Sequence, residues 1–204
     1  MTVNGTYPDT PLKAGVDNMK SLTVRDLTRV AMFTALMCVL AYVFLHLPIS
    51  PVAISAQTFG VMLAGLVLQP KLAALSQALY LLVGTLGLPV FAGGASGIGM
   101  LIGPGGGYLW GFVIGAYVTA VMIRKAEEKA KKTGKSIELP MLALASFTGG
   151  VIVIYIIGAL QMALVTQLPL RSVLAVGVLP FIPGDLTKVI AASLIARRLR
   201  GTLH

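Results

Sequence analysis

An all-α integral membrane protein with six transmembrane helices is what this sequence predicts, on three observations. Of 204 residues, 56% are hydrophobic and only 11% are charged, against roughly 25% charged in an average soluble domain. The mean hydropathy is +0.89. Six apolar runs follow one another at about 30–47, 53–68, 72–89, 107–123, 141–165 and 173–196, and a spanning helix needs about 20 mostly apolar residues. These features exclude a soluble enzyme, a secreted disulfide scaffold and a disordered tail. Runs this continuous also do not fit the alternating strands of an outer-membrane barrel.

Residues 1–22 form the first element, expected to be a flexible cytoplasmic segment. It is polar, with Asn4, Pro8, Asp9 and Pro11, and lacks the basic-then-apolar order of a signal peptide. Helix begins at about Thr23, and 23–204 make up the six-helix membrane domain. Cys38, the only cysteine, lies inside the first run, so no intramolecular disulfide or Cys-rich metal site is available. Between the third and fourth runs, Phe91 to Gly106 is rich in glycine and holds Pro104. Such a loop at membrane depth must line a cavity or be buried in protein. Gly103, Gly107, Gly111 and Gly115 recur at every fourth residue, a small stripe that lets another helix approach closely. Ala31 and Ala35 give the first run a similar face, and both stripes also suit a homo-oligomer. In the sixth run, Pro180 and Pro183-Gly184 predict a break.

The net charge of +9 is explained by where the basic residues fall. Fourteen of the sixteen flank the runs on one side of a six-span arrangement, the largest group being Arg124 to Lys135. The positive-inside rule then puts both termini in the cytoplasm, and the charge needs no nucleic acid to explain it. Glu127 with Lys131 and Glu128 with Lys132 read as i,i+4 pairs on a solvated helix end.

Groups for catalysis are scarce. No Asp or Glu occurs between Asp26 and Glu127, and the only histidines are His46, read as an interfacial polar residue, and His204. Gly134-Lys135-Ser136 imitates the end of a phosphate-binding loop, but the required upstream glycine is Lys129. Gly93 to Gly99 lacks dinucleotide-binding spacing. No enzyme, metal or cofactor is therefore expected.

Asp185 and Lys188 are the only charged residues inside any run. An isolated charge at membrane depth costs at least about 2.5–3.5 kcal/mol, so such residues face a cavity or a partner. Spaced i,i+3, they share one helical face. Counting back from Arg197 puts Lys188 about 14 Å inside, near mid-membrane. Phe91, Tyr108 and Trp110 flank the glycine-rich stretch and suit an apolar pocket wall, although Trp110 equally suits the interfacial aromatic belt.

Taken in order, Gly87-Leu-Pro-Val-Phe-Ala-Gly-Gly94, Gly103-Pro-Gly-Gly-Gly-Tyr-Leu-Trp-Gly-Phe112 and Pro180-Phe-Ile-Pro-Gly-Asp-Leu-Thr-Lys188 resemble the BioY family. These are the biotin-specific substrate-binding (S) components of energy-coupling factor transporters. Pro48 to Gln57-Thr resembles the family's outer loop and second span, while Gly105 departs from the more usual Thr. The resemblance implies high-affinity biotin binding and uptake across the cytoplasmic membrane. It implies a pocket near the outer face, walled by the first, third and fifth loops and the ends of their helices, with Asp185 and Lys188 as polar ligands. Gln57, Phe91, Gly107, Tyr108 and Phe181 complete the expected substrate-binding set. Whether Lys188 meets the ureido carbonyl or the carboxylate stays open. The Ala31/Ala35 face is implied to dock on a transmembrane coupling subunit driven by two cytoplasmic ATPase subunits. The alternatives are an S component for thiamine or riboflavin, and an autonomous secondary transporter.

Overall fold

Thr23 starts the first helix. Its hydroxyl accepts from the Asp26 amide at 3.2 Å, and the Asp26 carboxylate accepts in return from the Thr23 backbone and hydroxyl. This capping box opens α1 (Val24–Leu40). The computed structural model describes residues 22–46, 48, 50–134 and 136–202, which are mostly helical. The expected N-terminal lead up to residue 21, Lys135 of the Gly-Lys-Ser decoy and His204 lie outside the described residues.

The first apolar run does not stay helical to residue 47. After Leu40 the chain enters a two-stranded antiparallel hairpin, β1 (Phe44–Leu45) with β2 (Ile54–Ser55), pairing Phe44 with Ser55 and Leu45 with Ile54. Pro48 and Pro51 cannot continue a helix, and a short apolar strand reads like a helix end. Among the described residues the fold is therefore helical apart from this hairpin and an isolated Phe91–Ala95 bridge.

Next come α2 (Gln57–Val67) and α3 (Pro70–Thr85), the latter opened by Pro70 at its first position. The glycine-rich third loop contains a 3-10 turn at Ala92–Gly94 and one α-helical turn, α4 (Gly99–Ile102), and leads into α5 (Gly106–Thr133). α6 (Leu139–Thr166) holds a π-helical turn at Thr148–Val153. α7 (Leu170–Gly177) and α8 (Ile182–Thr202) replace the sixth run, bent by 53° where the prolines predict a break.

α5 is the central helix, packed against α2, α3 and α6. α8 closes on α2 and α6, and α1 lies outside against α3. Three glycines of the stripe set the α5–α6 distance. A methyl at Gly107 would stand 2.5 Å from the Ile157 carbonyl oxygen, one at Gly111 would stand 3.0 Å from the Ile154 Cα, and one at Gly115 would strike the Gly149 carbonyl. Gly107, expected in the substrate-binding set, thus sits at a helix crossing.

Among the described residues, α5 and α6 are long and apolar enough to cross a membrane, and α7 with Ile182–Arg200 qualifies as a broken third span. α1, α2 and α3 have 17, 11 and 16 residues, or about 25, 17 and 24 Å at 1.5 Å per residue. The acidic residues near the end of α5 also differ from expectation. Glu127 turns toward α8 and pairs with Arg200, while Glu128 reaches back to Arg124 at 3.5 Å.

Candidate functional site

The α7–α8 break brings charge and aromatic rings to one place. α8 restarts after Phe181, whose carbonyl accepts from the Asp185 amide at 2.9 Å. Asp185 therefore falls in the first turn of α8, where the positive end of the helix dipole favours a carboxylate. One turn on, the Lys188 Nζ lies 2.8 Å from Asp185 Oδ1. Asp185 is 2% exposed, so its charge needs partners, and two other helices supply them. Thr58, in the first turn of α2, donates to Oδ1 at 2.8 Å, and the Tyr155 hydroxyl on α6 donates to Oδ2 at 2.6 Å.

Lys188 is equally engaged. Its ammonium donates to the Ser55 carbonyl at 2.7 Å, to Thr58 Oγ1 at 3.1 Å and to Asp185. That accounts for all three of its N–H groups. The carboxylate has about four acceptor positions and three incoming bonds, which leaves one, on Oδ2, for a further donor.

These groups border a cavity of about 260 Å³. Ligand pockets run from roughly 300 Å³ upward, so this one suits a small, compact molecule. The hairpin contributes His46, Val52 and Ser55, and the third loop contributes Phe91, Met100 and Gly103 to Gly105. Tyr108, Leu109 and Phe112 come from α5, Ile154 and Tyr155 from α6, and Phe181 from the break. The fifth loop, expected as a wall, contributes no lining residue among those described, and Phe181 from the break stands in that wall. The irregular third loop lines the cavity and is braced from behind. Gln161 on α6 donates to the Leu101 and Gly103 carbonyls at 2.8 and 2.9 Å.

Of the residues expected from the sequence, the fold gathers Gln57, Phe91, Tyr108, Phe181, Asp185 and Lys188 around this cavity. Gly107 stays outside it. Gln57 accepts from Ser55 Oγ at 2.8 Å and donates to the Tyr80 hydroxyl, which donates to the Val90 carbonyl at 2.9 Å. Tyr80 also meets the Phe91 ring edge-on at 5.6 Å, tying α2 to the third loop. Tyr108 stacks on Phe181 at 6.4 Å and donates to the Gly177 carbonyl at 2.6 Å, fixing the break against α5.

Four participants escaped the sequence reading: Ser55, Thr58, Tyr80 and Tyr155. Only Thr58 carried a signal, as the neighbour of Gln57 in a polar pair opening an apolar run. His46, read as an interfacial residue, lines the cavity. Ala31 and Ala35 lie exposed on α1, clear of the cavity.

Comparison with known proteins agrees over nearly the whole chain. The description "BioY family" applies to residues 16–204. A biotin transporter BioY of Thermotoga maritima is 37% identical over 177 residues, covering 87% of this chain and 96% of that protein. One from Rhizobium etli is 36% identical over 182 residues, with coverages of 86% and 93%. Among solved structures, the S-component for biotin from an ECF-type ABC transporter superposes with a TM-score of 0.80 at 31% identity. That match covers 87% of this chain and 92% of the other.

Proposed function

This chain belongs to the BioY family, a family of transporters and not of enzymes, and from that premise we propose that it binds biotin and serves its uptake. The observation that carries the proposal is the buried Asp185–Lys188 cluster opening on a small, mostly apolar cavity. Biotin has a ureido group with two N–H donors and one carbonyl acceptor, an apolar thiophane ring and a valerate carboxylate. The open acceptor position on Asp185 suits a ureido N–H, as a charge-assisted bond. Phe91, Tyr108 and Phe181 suit the ring, and Gln57 supplies a further polar contact.

In this reading the protein is a multi-pass S component of the cytoplasmic membrane. α1 from Val30 on, α2, α3, α5, α6 and the broken α7–α8 pair are its six spans, with both termini cytoplasmic beside the basic clusters. The hairpin and third loop fill the thickness that the short α1 to α3 leave uncovered. The exposed Ala31/Ala35 face of α1 docks on a transmembrane coupling subunit, and two ATPase subunits supply the energy.

Titration of biotin into the detergent-purified protein, with mass spectrometry of any co-purifying ligand, tests the substrate. Tight stoichiometric binding, undisplaced by thiamine or riboflavin, is the expected result. A folded, monodisperse sample that ignores biotin overturns the proposal.

A further inference from the structure

Asp185 and His46 both line the cavity but in opposite settings. The carboxylate is buried, whereas His46 is exposed at the rim. Apolar side chains, including Phe91, Met100, Leu109 and Phe181, occupy much of the remaining wall. The cavity therefore has one polar pole within the protein and a second at its mouth. A molecule polar at both ends and apolar between matches that pattern.

The basic groups decide what the second pole receives. Among the described residues lining the cavity, only Lys188 and His46 carry basic side chains. Each Lys188 N–H already has a protein acceptor. Residues 48–52 and 90–106 contain no Lys or Arg. A carboxylate left at the mouth has the His46 imidazole as its available basic partner.

The ring is held for that task. His46 meets Phe44 edge-on, with centroids 5.3 Å apart and planes at 85°. Both rings lie close to Gly93, where a Cβ would stand 3.3 Å from the His46 Cε1 and 3.5 Å from the Phe44 ring. Gly93 has φ +75°, a backbone conformation for which glycine is the natural residue. The imidazole thus sits where the hairpin meets the third loop, and its ring nitrogens make no hydrogen bond to another described residue.

We infer that His46 is a specificity residue that receives the carboxylate of the ligand at the cavity mouth and selects the free acid over its esters. The ureido end then lies inward, at Asp185. This inference rests on the biotin reading and extends it to the direction in which the ligand lies.

Calorimetric titration of the wild type, His46→Ala and His46→Gln with biotin and with biotin methyl ester tests it. The wild type should prefer biotin over the ester roughly tenfold, the scale of one hydrogen bond to a charged group. His46→Ala should lose that preference by weakening biotin alone, and His46→Gln, which keeps an N–H donor, should recover part of it. Unchanged biotin affinity in His46→Ala overturns the inference and leaves the biotin reading standing. So does an equal loss for both ligands, which would mark a structural role. A folded wild type that binds neither ligand overturns both.

Discussion

Asp185 and Lys188 pair within the first turns of α8, whereas Arg200, near its other end, reaches across to Glu127 on α5. The side chains of the first pair are 3% and 18% exposed and are closed in by Thr58, Tyr155 and the Ser55 carbonyl. Those of the second are 34% exposed for Glu127 and 19% for Arg200, which also donates to the Leu66 carbonyl at the end of α2. Both pairs bind α8 to its neighbours. They differ in what happens when a member is lost. At the first site the remaining charge is stranded away from water, and at the second water can reach the acid. Environment, more than proximity, sets the worth of an ion pair.

The largest effect should follow from breaking the inner pair. Lys188→Met leaves Asp185 buried without its cation, and we expect about 3–5 kcal/mol of lost stability and at least tenfold weaker biotin binding. Asp185→Asn should weaken binding by a similar factor. The double variant should be less destabilised than the two single losses combined, because neither charge is then stranded. Thermal unfolding and calorimetric titration read both quantities. Near-normal affinity in both single variants would break the comparison and the site together.

Tyr155→Phe sharpens it. Removing the hydroxyl deletes the only protein donor described on Asp185 Oδ2. A loss of about 1–1.5 kcal/mol, or roughly tenfold in affinity, is expected from one such bond. A smaller effect is expected from Arg200→Ala, about 1 kcal/mol in unfolding stability with biotin affinity unchanged. A loss of binding in that variant would join two regions that the structure keeps apart.

The smallest effect belongs to a third carboxylate, at the start of α1. Hydrogen bonds from the Thr23 side chain and backbone, with Arg29 and Arg25 nearby, hold Asp26 below its ordinary value of 3.8. A carboxylate lowered on folding adds stability above its unfolded pKa and loses it as pH falls through the folded value. The melting-temperature difference between wild type and Asp26→Asn should therefore be small at pH 6 and shrink further as the pH drops below 3.8.

Residues that break a pattern were the ones the sequence made legible. Asp185 and Lys188 stood out because a charge in an apolar run demands an explanation. Pro180 and Pro183-Gly184 marked the α7–α8 break because proline cannot sustain a helix. Thr58 was marked only as the neighbour of Gln57, and Tyr155 was hidden, since Tyr is unremarkable in apolar helices. Their link to Asp185 spans 127 and 30 residues, beyond the reach of any local spacing rule. The hairpin was hidden because Phe44 and Leu45 continue an apolar run that a helix would use equally well. Gly107 was visible as one of a small-residue series, but its neighbour across the crossing, Gly158, was not. Its packing role is therefore seen only in the fold.

The three bonds that already surround Lys188 have a thermodynamic consequence. A ligand acceptor arriving there exchanges one hydrogen bond for another, so Lys188 itself adds little to the count of bonds. Beside the bond to the open position on Asp185 and that to His46, the free energy of capture then comes from withdrawal of the apolar wall and the ligand ring from water. Its signature is a drop in heat capacity on binding, set by the area that Phe91, Leu109, Phe112, Ile154 and Phe181 enclose.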